Sequence, residues 1–430
     1  MIDSKETIIN YFNSGIKKTE DFRIGIEHEK FLFDLKTNQR IDYKKILEMF
    51  SALMEFGWKP IKEKENIIGL SKDGRNITLE PGNQIELSGA KLINIHEACA
   101  ESQDYLFELN QVAKKLNIKI VSAGFDPISS LKQIPNNPKQ RYQLMTRDMP
   151  EGGQLSLDMM YRTCGTQLNI DYNSEKDFIK KFKVVNSLVP ISIALFANSS
   201  IVEKKNSGFL SYRTKVWQNT SRGGLPAVFF DEMNFEKYAH FIIKSSMLFI
   251  ENENTYISGK KYTFEDFMNG KISEINNRLP TEKDLTTHLS TIFTENRLKK
   301  YIELRSMDAC GWDCLCSGPA YNIGILYGNL DETYELISKW DKNKIINAYL
   351  EAPKNGFNTQ LMGKDLLHWT KLLLEISRKG LENRDILNKN NKNESLFLNH
   401  LNQIVENKMT NAHHMINKFS KENLETLYDK

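Results

Sequence analysis

The stretch Arg23-Ile24-Gly25-Ile26-Glu27-His28-Glu29-Lys30-Phe31-Leu32-Phe33 reads as a β-strand with two acids inside it. Extended backbone sends successive side chains to opposite faces, so Glu27 and Glu29 share one face while Ile24, Ile26 and Leu32 share the other. Two like charges side by side on a core strand imply either a neutralising cation or a solvated outer face. His28, projecting with the isoleucines, reads as a core histidine rather than a ligand.

Three further stretches repeat this split. Ile77 to Ser88 alternates, with Ile77, Leu79, Ile85 and Leu87 opposite Thr78, Glu80, Gln84, Glu86 and Ser88. Pro81-Gly82 falls in its middle, and the expectation is one strand kinked or bulged there. Tyr161 to Tyr172 sets Gln167, Asn169 and Asp171 against Cys164, Leu168 and Ile170, and Lys300 to Asp308 puts Tyr301, Glu303 and Arg305 on one face. If these faces converge, Glu27, Glu29, Glu80, Glu86 and Glu303 form an oxygen-rich cradle suited to Mg²⁺ or Mn²⁺, which in turn suggests a nucleotide. The sequence has no GxxxxGK[ST], no GxGxxG between strand and helix, no GxSxG and no HExxH. Phosphates would therefore rest on metal and cations, with Arg213, Arg222 and Arg305 as candidates beside a salt-bridge role for each.

Around the strands the spacing predicts helices over Tyr43 to Phe56, His96 to Leu116, Val184 to Asn198 with a kink at Pro190, and Phe235 to Phe249. Lys72-Asp73-Gly74-Arg75 reads as a turn. Residues 136–153 read as loop-rich, carrying Lys139, Arg141 and Arg147 to meet either phosphate or solvent, and 208–213 as a loop carrying Arg213. From about 333 to the end the pattern is helical, without repeats or a linker, so 430 residues are expected to form one unit. With 58 basic and 55 acidic residues the net charge is +3, which gives no field of the kind that marks nucleic-acid binders. No apolar stretch is long enough for a membrane span or signal peptide, so a soluble cytoplasmic protein is expected. Five cysteines in so long a chain predict mostly reduced thiols, and Cys310, Cys314 and Cys316 lack the spacing of a zinc site.

In order along the chain, RIGIEHEKF (23–31), LEPGNQIELS (79–88), LDMMYRTC (157–164), GFLSYR (208–213), TIF (291–293) and YIELRSMD (301–308) resemble glutamate-cysteine ligase of the plant and proteobacterial type. The resemblance implies an α+β fold of the glutamine-synthetase-like superfamily, a mainly antiparallel sheet curved into a funnel with helices outside. It implies ATP-dependent joining of the glutamate γ-carboxylate to the cysteine amine through a γ-glutamyl phosphate. Carried over by position, Glu27, Glu29, Glu80, Glu86 and Glu303 would hold magnesium, and Arg305 with Glu303 would act at the transferring phosphoryl group. Arg213, Gln167, Asn169, Arg162 and Tyr212 would serve the amino-acid substrates, and Arg222, Lys139 and Arg141 the nucleotide. Partners would be glutamate, cysteine and ATP, in a monomer or homodimer, with no nucleic acid or membrane.

Departures from the family pattern stand at Ile26 for Thr, Leu32 for Gly, and Cys310-Gly311-Trp312-Asp313-Cys314 for GGPWRR, which would fall at the acceptor or nucleotide edge. Another γ-glutamyl acceptor, or a non-catalytic thiol-sensing relative, are the competing expectations. Cys99 and Cys316 fall at the positions of one regulatory disulfide of plant members, the second pair having no counterpart. The absence of a transit peptide adds to the cytosolic expectation.

Overall fold

The structure, a computed structural model, describes residues 1–253 and 255–419. Its centre is an open nine-stranded antiparallel sheet: β1 (Ile24–Asp34), β2 (Lys59–Glu63), β3 (Asn66–Lys72), β4 (Arg75–Leu79), β5 (Ile85–Ser88), β6 (Ile118–Val121), β7 (Gly165–Ile170), β8 (Asn296–Leu298) and β9 (Ile302–Asp308). The spatial order is β8-β9-β7-β1-β5-β4-β3-β2, with β6 pairing the far end of β1. The two ends do not pair, so the sheet stays open.

The strand carrying Glu27 and Glu29 is central because both its edges are used. Glu27 pairs Gln167 of β7 on one side and Ser88 of β5 on the other, and Glu29 pairs Glu86. On β9, Glu303 pairs Asn169. The polar positions of all these strands therefore fall in one register on one face, the front.

The back is apolar and covered by helices. Helices α1 (Tyr43–Met54) and α2 (Ile95–Leu116) pack Phe50, Leu53, Tyr105 and Leu109 against Leu32, Ile77, Ile85 and Leu87. Asp42 and Asn94 cap their N-termini by accepting from Lys45 N and Glu97 N. A larger core joins Ile24, Leu168 and Leu304 of the sheet to Phe182, Ile191, Leu373 and Val405. Described helices of the C-terminal part include Lys342–Asn355 and Leu366–Arg384; residues 420–430 of the expected helical run lie outside the described residues.

Several expectations are corrected. Ile77 to Ser88 is two strands, not one bulged strand: β4 and β5 pair antiparallel, Thr78 opposite Glu86, and Glu80 to Gln84 form the loop between them. Asn83 sits there at φ +60°, a left-handed conformation that asparagine tolerates. The loop-rich 136–153 contains helix α3 (Gln140–Asp148), and the start of the Tyr161 strand belongs to α4 (Ser156–Arg162). The kinked 184–198 helix is two, α5 (Glu175–Ser187) and α6 (Val189–Leu195), with Pro190 in the first turn of the second, where its missing N–H is harmless. Arg213 lies on α7 (Tyr212–Trp217), capped by Ser211, rather than on a loop. The Phe235 helix ends at Lys244, and Phe249 opens a short strand. The Asp73-Gly74 turn is as expected, with both residues at positive φ as a tight hairpin requires.

Candidate active site

The front of the sheet floors a cavity of about 320 Å³. Its acidic wall comes from β1, the 80–84 loop and β5, as Glu27, Glu29, Glu80 and Glu86; its cationic wall is Arg141, Arg297, Lys299 and Arg305. Tyr142 and Met145 of α3, with Phe249 and Phe293, close it from the other side. A smaller extension of about 80 Å³ is lined by Arg213, Trp217, Met159 and Met160 together with Glu29, Gln167 and Arg305.

Like-charge crowding marks the acidic wall. Burial, then the charges of Glu80, Glu27 and Glu29, push Glu86 well above the carboxylate range, although Thr78 Oγ1 donates to it at 2.6 Å. Burial and Glu80 push Glu29 up to about 7 against the pull of Arg213, the Gly165 N–H and Arg305. Glu29 accepts from Gly165 N at 2.7 Å and Glu27 from Asn169 Nδ2 at 2.7 Å. An excess of carboxylate that the protein's own cations leave uncompensated is the donor chemistry a divalent cation fits. Among the described residues, no three such groups close on one point. That openness suits Mg²⁺, which keeps waters and substrate oxygens in its shell.

Glu303 differs from the other four. Arg297 Nε contacts it directly and Lys299 Nζ lies 2.7 Å away. Burial alone would raise its pKa, but Arg297, Lys299 and Arg305 hold it well below the carboxylate range. Arg305 donates through Nη1 to Gln167 Oε1, and its guanidinium lies 5.4 Å from the Trp217 ring centroid. Burial and the neighbouring Arg297 lower it to about 10, so it stays cationic at neutral pH. Arg213 stacks on the same indole at 5.0 Å and donates to the Arg305 carbonyl at 2.8 Å.

Five expected ligand-side residues do not line the cavity: Asn169, whose Nδ2 donates to Glu27, and the four that follow. Arg162 is held by Asp158 and Glu203 at 2.8 and 3.1 Å and lies over the Phe125 ring, and Tyr212 packs edge-on to Phe125. Arg222 donates to Thr291 and Ser246, stitching two loops together. Lys139 donates to the Leu79 carbonyl at 2.7 Å, beside Tyr142 Oη at 2.9 Å on the same acceptor. The polar groups of Arg222 and Lys139 are spent on the fold, and Arg162 is tied up by its two ion pairs. The Glu80 loop is fastened further by Asn137 Nδ2 on the Glu80 carbonyl at 2.7 Å and by Arg40, which donates to Gly82 O and pairs with Asp126 at 3.0 Å. Arg297 and Lys299 escaped the sequence reading, although their alternation in Asn296-Arg297-Leu298-Lys299, just before the Glu303 strand, carried the signal.

The cysteines meet the resemblance at one pair and depart from the expectation of reduced thiols. Cys99 of α2 and Cys316 are joined as a disulfide with Cα atoms 5.7 Å apart, and Cys310 and Cys314 as a second, so only Cys164 is free. Mostly reduced thiols are therefore not what the structure shows. The packing of α2 against the segment after β9 brings together residues that are 217 apart in sequence. Gly311 and Trp312 line a different cavity, on the back of the sheet, and not the acidic one. Gly311 and Trp312 of the departing segment therefore lie away from the front cavity.

An open antiparallel sheet whose front sets carboxylates against arginines is a fold that this chain shares with solved ligases. The fold matches a glutamate-cysteine ligase from Francisella tularensis, solved in complex with AMP, at a TM-score of 0.58 and 14% identity over 96% of this chain and 88% of that one. It also matches a bifunctional glutathione synthetase from Pasteurella multocida at 0.50 and 11%, over 98% and 52%. The chain belongs to glutamate-cysteine ligase family 2 (GCS2), whose profile matches residues 23–430. It is 39% identical over 419 residues to the chloroplastic glutamate-cysteine ligase of Nicotiana tabacum, covering 96% of this chain and 79% of that protein, and 37% identical over 425 residues to that of Arabidopsis thaliana, covering 97% and 80%. As a member of the family it is an enzyme, a ligase of the first step of glutathione biosynthesis. The cytoplasmic expectation is corrected by the relatives' names, which describe those proteins as chloroplastic. No described helix is long and apolar enough to cross a membrane.

Proposed function

We propose that the front cavity couples ATP cleavage to amide formation between the glutamate γ-carboxylate and the cysteine amine, with magnesium on the acidic wall. The observation that carries this reading is the single cavity that opposes four glutamates to Arg141, Arg297, Lys299 and Arg305. Phosphoryl transfer needs such a division, with cation sites for the metal and fixed positive charge for the phosphates.

In this reading Glu27, Glu29, Glu80 and Glu86 hold Mg²⁺, which when bound shields phosphate charge and aligns the γ-phosphate. A γ-carboxylate oxygen attacks the γ-phosphorus and ADP leaves, giving the acyl phosphate. The cysteine amine then attacks the carbonyl carbon of that acyl phosphate, loses a proton and expels phosphate, which keeps that carboxylate oxygen. Arg305, planar and held by Gln167 and Trp217, stabilises charge on the moving phosphoryl group. Arg297 and Lys299, now on Glu303, are the cations nearest to hand for the nucleotide phosphates, and their transfer to phosphate would release Glu303 as a further metal ligand. Arg213 and Gln167 serve the amino-acid substrates in the smaller extension, whose Met159 and Met160 give it a soft, polarizable wall for a thiol. Arg141 faces the nucleotide end.

ADP release measured with Mg²⁺, ATP, glutamate and each amino acid in turn tests the acceptor. Cysteine and 2-aminobutyrate are expected to support turnover. Failure of both while another amine works would contradict the reading. Calorimetric titration of Mg²⁺ tests the metal without turnover: Glu27→Gln or Glu80→Gln should weaken binding at least about tenfold, since each removes a ligand charge.

A further inference from the structure

The 310–314 segment that departs from the family pattern borders a second cavity, of about 380 Å³, on the back of the sheet. Lys30, Lys114 and Lys119 line it together with Ser122. Lys30 alternates with Glu29 along β1, so its side chain leaves the strand away from the acidic wall. It is 2% exposed, and its Nζ meets Ser122 Oγ at 3.0 Å. A hydroxyl does little to balance a desolvated ammonium. Lys114 lies in the last turn of α2, where its charge also answers the helix carbonyl end, so the argument turns on Lys30. Apart from Asn110 the remaining side chains are apolar, among them Leu106 and Ile120 at the side and Trp312, 43% exposed, at the rim. Beside Trp312 the space is open, since a Cβ on Gly311 would meet nothing within 4 Å.

We propose that this back cavity binds a small organic anion, with its carboxylate or phosphate at Lys30 and Ser122 and its flat apolar body against Leu106, Ile120 and Trp312. The site is separate from the front cavity, because the sheet lies between them, and it does not depend on the roles assigned there.

Calorimetry on the intact chain decides it, with Mg²⁺, a non-hydrolysable ATP analogue and glutamate present to fill the front cavity. 1-Naphthyl phosphate and 2-naphthoate are the two probes, and whichever binds more tightly identifies the head group. Saturable one-to-one binding is expected, weakened at least about tenfold by Lys30→Met, the loss of a charge-assisted hydrogen bond. Trp312→Ala, at the exposed rim, should weaken it at least about threefold, and Arg305→Lys should leave it unchanged. The proposal is overturned if neither probe saturates below about 10 mM, if Lys30→Met and Trp312→Ala bind as well as the parent, or if Arg305→Lys abolishes binding. Should Lys30→Met fail to fold, Trp312→Ala and Lys114→Ala decide alone, and unchanged affinity in both overturns it.

Discussion

Arg305 shows how much chemistry rests on a side chain's shape. Its guanidinium donates to Gln167 and lies against Trp217, and its own carbonyl accepts from Arg213. A lysine keeps the charge but not the planar fork, so Arg305→Lys should lower kcat at least about a hundredfold in an ADP-release assay. Wild-type turnover would make Arg305 structural. Glu29 gives a prediction about pH. Its folded pKa, about 7 against an ordinary 4.5, means the native state binds the extra proton across that window. Without metal, stability should therefore fall as pH rises from about 5 to 8, and Glu29→Gln should flatten the profile in thermal melts. Stability rising across the window would contradict this. Glu27, Glu29, Glu86, Gln167, Glu303 and Arg305 were legible in the sequence because each sits on a period-two strand opposite apolar residues. Arg297 and Lys299 were passed over, since β8 is only three residues long, although the two alternate with Leu298. Arg162 and Tyr212 lie in matched motifs and Lys139 and Arg222 were read as loop cations, and none of the four lines the cavity: neither signal distinguishes a ligand contact from a contact made within the fold.

Elements decide where those residues point, and the 80–84 loop is the clearest case. The sequence alternation ran straight through it, because β4 and β5 carry the same in-out pattern and only pairing distinguishes a hairpin from a bulge. As a hairpin loop, it presents Glu80 from the rim of the cavity rather than from its floor. Asn137, Arg40, Lys139 and Tyr142 hold the loop or the strand end before it. Asn137→Ala leaves the Glu80 carbonyl without its 2.7 Å donor and should cost about 1 kcal/mol of stability. Its larger effect should be a raised Mg²⁺ requirement with kcat at saturating Mg²⁺ preserved, the mark of a positioning residue. An unchanged Mg²⁺ dependence would leave the loop to its other ties. Helices α3 and α7 were missed for a related reason. Both are short, and their cationic residues, Arg141 and Arg213, read as loop charges until tertiary contacts fixed the helix.

At the scale of the molecule, one apolar core runs from Ile2 through the back of the sheet to Val405. We propose that the chain unfolds as one unit, seen as a single calorimetric transition. The Cys99–Cys316 bond closes a loop of 217 residues, worth up to about 5 kcal/mol by chain entropy. Cys99→Ser should lower the melting temperature, and a reductant should lower the parent's by more than the variant's, which keeps only the short Cys310–Cys314 bridge. The antiparallel, acid-faced sheet was legible because strand period is local. Strand order was not, since it is set by which apolar backs share a core. The central claim is that one front cavity passes a γ-carboxylate oxygen to phosphate on the way to an amide. Turnover with glutamate carrying ¹⁸O in its γ-carboxylate tests it directly. The account predicts one ¹⁸O in each phosphate released, with ADP and γ-glutamylcysteine formed in equal amounts; phosphate without label, or AMP and pyrophosphate as products, would contradict it.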